Sequence, residues 1–91
     1  MSVLVISEIS GGTADQDDAM VQALGLTHSP PQGIRIRLAG PMDSGWRIVS
    51  LWESRDLFQS FVEDRLKPAV DAAGRPLPQF TFWNIETAWS S

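Results

Sequence analysis

The chain contains no cysteine and a single histidine, His28. That removes disulfides, thiolate metal sites and multi-histidine metal sites at once. A chain of 91 residues is then left with apolar burial as its main source of stability. Chains of this size bury only about 60–65% of their unfolded surface. Small folds without such staples commonly gain stability by oligomerising. The expectation is one domain, residues 1–91, that assembles with a second copy and holds no metal and no cofactor.

Charge narrows the partners. The formal net charge is −4, the wrong sign for the basic footprint that nucleic acid requires. No apolar run approaches the roughly 20 residues of a membrane span. The apolar stretch Val3–Ile6 has neither the basic flank nor the length of a signal peptide. Neither nucleic acid nor membrane is expected as a partner, and a cytoplasmic location is the default.

Val3, Leu4, Val5 and Ile6 form a continuous, β-branched run, the pattern of a central strand buried on both faces. Thr13 with Gln16 has capping-box spacing, and Asp15, Asp17 and Asp18 suit the start of a helix whose apolar stripe is Met20, Val21 and Leu24. Gly25 followed by Leu26 predicts a Schellman stop. Residues 27–33, with Pro30 and Pro31, read as a loop. Ile34, Ile36 and Leu38 alternate with Arg35, Arg37 and Ala39 as a strand, and 40–45 is a turn. Gly45–Trp52 is the next strand, closed by Ser54 as an N-cap. Leu57, Phe58, Phe61, Val62, Leu66 and Val70 mark a helical face, which Pro68 should kink or restart near Lys67. Gly74 ends it, 75–78 is extended, and 80–87 is a last strand. The order is βαββαβ: an α+β, ferredoxin-like fold with a four-stranded antiparallel sheet and both helices on one face.

The strand Gly45–Trp52 carries two of the chain's four tryptophans, six positions apart and therefore on the same face. If Ala39 opposes Trp46, then Arg37 opposes Ile48 and Arg35 opposes Ser50. Ile34, Ile36, Leu38, Val49 and Leu51 then form an apolar face that should carry the helices. Arg35, Arg37, Ala39, Trp46, Ile48, Ser50 and Trp52 form the other, whose two tryptophans would be too large a patch for a lone copy to expose. Packing sheet to sheet against a second copy resolves this, with Trp46 and Ile48 in the interface. A bulge near the turn would exchange the faces.

The stretch Gly45-Trp46-Arg47-Ile48-Val49-Ser50-Leu51-Trp52-Glu53-Ser54, followed by Phe58, Phe61, Val62 and Arg65-Leu66-Lys67-Pro68-Ala69, resembles small bacterial proteins of the dimeric α/β-barrel superfamily. More narrowly it resembles the antibiotic-biosynthesis-monooxygenase-like group, and Pro31-Gln32-Gly33 leading into Ile34–Gly40 fits the same pattern. The resemblance covers nearly the whole chain and is more specific for fold than for reaction. It implies two ferredoxin-like protomers joined sheet to sheet, each with a pocket between its sheet and helices. Members of the group often carry His at the position of Arg37. Arginine stays charged and cannot shuttle a proton near neutral pH, so that role is in doubt for this chain.

The candidate catalytic residues are Arg37, Trp52 and Asn84. Trp52, at a strand end, would orient an aromatic substrate by stacking. The competing reading is a packing or interface residue. Arg37, like Arg35, could stabilise a phenolate oxygen or simply form an interfacial ion pair, with Glu8 or Glu86 as partner. Asn84 could position a carbonyl or dioxygen, or have its amide satisfied by backbone. Phe61, Trp83 and His28 are candidate substrate contacts. A lone histidine in a proline-rich loop is more often solvated than a base or ligand. Asp15, Asp17 and Asp18 read as a helix-start cluster rather than an acid/base site.

The leading functional expectation is a cofactor-independent monooxygenase, or a related enzyme, acting on a small aromatic or polyketide-like substrate. There the deprotonated substrate itself supplies electrons to dioxygen, and the protein binds, orients and stabilises the anion. The alternatives are a non-catalytic dimeric small-molecule-binding or scaffold protein, which the lack of an evident base favours, and a cyclase or isomerase using the same pocket.

Overall fold

The structure, a computed structural model, describes residues 2–90. Strands β1 (Ser2–Ser10), β2 (Ile34–Met42), β3 (Gly45–Trp52) and β4 (Gln79–Ile85) form one sheet in the order β2-β3-β1-β4. Every neighbouring pair is antiparallel. Helix α1 (Ala14–Leu24) links β1 to β2. Between β3 and β4 lie α2 (Arg55–Phe61), a π-helical turn (Val62–Leu66) and α3 (Lys67–Ala72). This is the expected ferredoxin-like arrangement, with the apolar β1 in the middle of the sheet.

Local chemistry sets the element ends. The Thr13 hydroxyl accepts from the Gln16 backbone N–H at 3.2 Å, and the Ser54 hydroxyl accepts from that of Leu57 at 3.2 Å. Each satisfies a donor that a helix start leaves free. At the end of α1, Gly25 takes φ +64°. Its N–H reaches Gln22 O, and Leu26 N–H reaches Val21 O, which is the Schellman pairing. Pro68 restarts the second helical segment as expected. It has no N–H and its ring crowds the carbonyl four residues back. The chain answers with a wider turn, in which Lys67 N–H reaches Val62 O, five residues back.

The β2–β3 hairpin differs from the expected register. Met42 faces Gly45 and Ala39 faces Ile48, so the strands run past Gly40 to a tight turn at Asp43 and Ser44. The shift is by two residues and leaves the faces unchanged. A bulge between Ile34 and Ile36 turns Arg35 outward and brings Ile34 opposite Trp52. Strand β4 also ends earlier than expected, at Ile85.

The larger correction concerns which face the helices cover. They cover the face of Trp46, Ile48, Ser50 and Trp52, not that of Ile36, Leu38, Val49 and Leu51. Val3 lies opposite Trp52, and Val5 opposite Ser50. Val3, Val5, Trp52, Phe58 and Val62 make the buried core, with Ile34, Leu57, Phe61, Leu66, Phe80 and Phe82 packed on it. Aromatic volume decides the outcome. Trp52 meets Phe58 edge-on at 5.2 Å and Phe61 at 5.3 Å between ring centroids, and Phe58 meets Phe80 at 5.1 Å and Phe82 at 5.6 Å. Such contacts add roughly 0.5–1.5 kcal/mol each beyond area burial. The polar residues on this face did not bar it from the interior, because Arg37 and Trp52 find partners there. Trp46 and Ile48, expected on an open face between two copies, therefore lie on the helix-covered side.

Candidate functional site

The covered face of the sheet is uneven. From edge to edge, one row across it reads Arg37, Ser50, Val5, Phe82, and the next reads Ala39, Ile48, Ser7, Phe80. The two middle strands thus present small side chains, Ser50 and Ser7, at the centre of this face. The two tryptophans of β3 stand at either end, roughly 20 Å apart along the strand. Helices resting on tall ends cannot settle onto a low centre, so a cavity of about 730 Å³ remains between sheet and helices. Pockets for small organic ligands commonly have this size.

One end of the cavity is aromatic: Trp52, Phe58 and Phe61 line it. Trp52 is only 1% exposed, and its Nε1–H donates to Ser50 Oγ at 2.8 Å. That bond satisfies a buried donor within its own strand. Trp46 forms part of the wall at the other end. Its Nε1–H is buried without a partner, a deficit worth about 1–3 kcal/mol.

Between these ends stands an ion pair. Arg37 Nη2 donates to Asp17 Oδ1 at 2.6 Å and Nη1 to Asp17 Oδ2 at 3.3 Å. The side chains are 25% and 10% exposed, and both residues line the cavity. This two-pronged geometry is the strong form of a charge-assisted hydrogen bond. The other arginine expected to matter, Arg35, is engaged elsewhere, with Glu53 at 3.1 Å, and Arg47 holds Glu8 at 2.9 Å. Arg37 therefore pairs with neither Glu8 nor Glu86.

Of the residues singled out from the sequence, the structure gathers Arg37, Trp52, Phe61, Trp46 and Ile48 around the cavity. Three others lie elsewhere. Trp83 is 63% exposed and alternates with Phe82 onto the uncovered face. Asn84 is exposed near the end of β4, and His28 is exposed in the loop after α1. Sequence reasoning missed Asp17, Ser7 and Ser50. A signal for Asp17 was present. It precedes Met20, Val21 and Leu24 at spacings of three, four and seven, which puts a carboxylate on the apolar stripe of α1.

No protein-family model matches this sequence, and no curated protein matches it either. Solved structures do. A candidate antibiotic biosynthesis monooxygenase from Chloroflexus aurantiacus aligns with a TM-score of 0.65 at 17% identity, over 99% of this chain and 98% of its own. SnoaB, a cofactor-independent oxygenase from Streptomyces nogalater, aligns at 0.65 and 9% identity, over 99% and 97%. A further candidate antibiotic biosynthesis monooxygenase, from Deinococcus radiodurans, aligns at 0.60 and 13%, over 100% and 98%. The structural neighbours are thus antibiotic-biosynthesis-monooxygenase-like proteins, and at these identities the likeness is one of fold.

Proposed function

We propose that this protein is a cofactor-independent monooxygenase that oxidises a small hydroxylated arene, and that it works as a homodimer. The observation that carries this reading is the cavity itself, which sets a wall of Trp52, Phe58 and Phe61 beside the sheltered Arg37–Asp17 pair. The aromatic wall suits a flat ring system, and the ion pair suits the hydroxyl of that ring. Transfer of the hydroxyl proton to the Asp17 oxygen that accepts it leaves an arenolate whose oxygen Arg37 stabilises, with the net charge at the pair unchanged. The arenolate passes one electron to dioxygen, and the resulting pair joins through a new C–O bond. Loss of water from the hydroperoxide leaves a quinone. One oxygen atom enters the product and the other leaves as water, with all the electrons drawn from the substrate. The fold shared with SnoaB is consistent with this chemistry.

The homodimer reading is supported by the uncovered face of the sheet. Leu38 is 58% exposed and Trp83 63%, with Ile36 also exposed. These three alternate onto the same face as Leu4, Ile6, Val49 and Leu51. A continuous apolar sheet face is the kind of surface that a second copy covers.

A non-catalytic ligand-binding role is favoured by one observation. Both oxygens of Asp17 are held by Arg37, and His28 lies outside the cavity, so neither presents a free base. Oxygen consumption separates the two readings. With 1-naphthol as substrate, protein-dependent oxygen uptake with formation of 1,4-naphthoquinone is expected. Saturable binding with no uptake above the uncatalysed rate overturns the monooxygenase reading in favour of binding.

A further inference from the structure

We propose that the Arg37–Asp17 pair makes the cavity select neutral hydroxyarenes over arene carboxylates. This deepens the reading of the cavity as an arene site and rests on it, without depending on turnover.

An arginine in a small-molecule pocket ordinarily suggests an anionic ligand. Here the guanidinium already has an anion. Asp17 holds it through two hydrogen bonds, and the Asp17 side chain is the more sheltered partner. An incoming carboxylate has two options. It can lie beside the pair, where Asp17 repels it in a medium that screens less than water. Otherwise it displaces Asp17, which would then be a sheltered carboxylate without its cation. Arg35 and Arg47 cannot take over, because they are engaged with Glu53 and Glu8. The remaining charged lining groups are Glu8, whose carboxylate is committed to Arg47, and Arg75, exposed on the extended segment before β4.

A neutral hydroxyl meets no such obstacle. Each Asp17 oxygen accepts one hydrogen bond from Arg37 and has a further lone pair, so it can accept the ligand O–H. The guanidinium has spare N–H groups that can donate to the same ligand oxygen. The pair thus offers a donor and an acceptor side by side with no net charge. Selectivity comes from Asp17, a residue whose place in the acidic start of α1 would otherwise suggest only a favourable helix-dipole contact.

The test compares 2-naphthol with 2-naphthoate, which share a ring system and differ in charge at neutral pH. Affinity is read by calorimetry on the full-length protein, without dioxygen chemistry. The wild type should bind the naphthol at least about tenfold more tightly. Asp17→Asn keeps the shape of the side chain and frees the positive charge of Arg37, so it should invert the preference. Arg37→Gln leaves Asp17 unopposed and should move selectivity the other way, weakening the naphthoate further. Opposite shifts in the two variants support the proposal, and either variant alone serves if the other does not fold. Three results overturn it: a wild type that prefers the naphthoate, variants that weaken both ligands in equal proportion, or a wild type that binds neither. Oxygen uptake is a separate measurement. Correct selectivity without uptake defeats only the monooxygenase reading.

Discussion

Trp52 and Ser50 lie two residues apart on β3 and are joined by a 2.8 Å hydrogen bond from the indole Nε1–H to the serine hydroxyl. Both are buried. Removing the acceptor leaves a large buried ring with an unpaired donor. Ser50→Ala should therefore cost about 1–3 kcal/mol of stability. In a Trp52→Phe background the same change should cost less than about 1 kcal/mol, because no donor remains to strand. Denaturant titrations of the four proteins give the coupling directly.

Trp46 is the internal control for that bond. Its Nε1–H is buried with no partner, so Trp46→Phe removes an unsatisfied donor together with some apolar area. The two effects oppose each other. The expected outcome is a net change within about 1 kcal/mol, distinctly milder than Trp52→Phe. Equal losses in the two variants would mean that volume alone decides.

The cavity exists because small residues occupy the middle of the covered face. Ser7→Val places two methyl groups there without disturbing the hydrogen bond of Ser50. Filling a void of this kind typically stabilises by about 0.5–2 kcal/mol. The melting temperature should hold or rise, while affinity for 2-naphthol falls by about tenfold. Loss of stability together with unchanged ligand affinity would show that Ser7 does not border usable space.

The order of elements, the central place of β1, both N-caps, the Schellman stop at Gly25 and the restart at Pro68 were all legible in the sequence. Each follows from short-range chemistry: a hydroxyl beside a free N–H, a glycine at positive φ, a ring without a donor. The face covered by the helices was not legible. Both faces of β3 alternate cleanly, and apolar count favoured Val49 and Leu51. The decision belongs to contacts between distant segments, with Phe58, Phe61 and Phe80 converging around Trp52 or close by it. The site was partly legible for the same reason. Arg37, Trp52 and Phe61 were visible as residue types in a plausible place. Asp17 was hidden among three acidic residues whose helix-dipole role explained them without any partner twenty residues away.

The uncovered sheet face gives a prediction about assembly. Leu38→Asp puts a charge into the exposed apolar surface, on its edge strand β2, and touches nothing beneath the helices. Sedimentation should then report a species of half the wild-type mass with unchanged far-ultraviolet circular dichroism. Ile48→Asp puts the charge on the helix-covered side instead, where it should unfold the protein. A wild type that sediments as a stable single chain at micromolar concentration would remove the dimer.

The last prediction concerns the π-helical turn and the residue it presents. Arg65 lies within that turn. Its Nη2 donates to the main-chain oxygen of Leu24, in the last turn of α1. Its guanidinium also lies 5.8 Å from the centre of the Phe61 ring. A cation at a helix C-terminus meets carbonyls with no helical donor, so this contact both satisfies Leu24 and suits the dipole of α1. It ties α1 to the segment that follows α2, and these two elements roof the cavity. The wider turn at Pro68 determines where along the helix Arg65 emerges. Arg65→Ala should cost about 1.5–3 kcal/mol, the range for a hydrogen bond to a charged group. Arg65→Lys should recover only part of this, since an ammonium lacks the planar fork. Pro68→Ala restores a donor for the Asp64 carbonyl and allows the turn to tighten. It should improve local helix geometry yet weaken the hold of Arg65 on Leu24. The measurement is hydrogen exchange at the amides of α1. Faster exchange at the end of α1 in both Arg65→Ala and Pro68→Ala is expected, with the start of α1, capped by Thr13, unaffected in either. Exchange that rises uniformly along α1, or only in Arg65→Ala, would separate the π-helical turn from the stability of the roof.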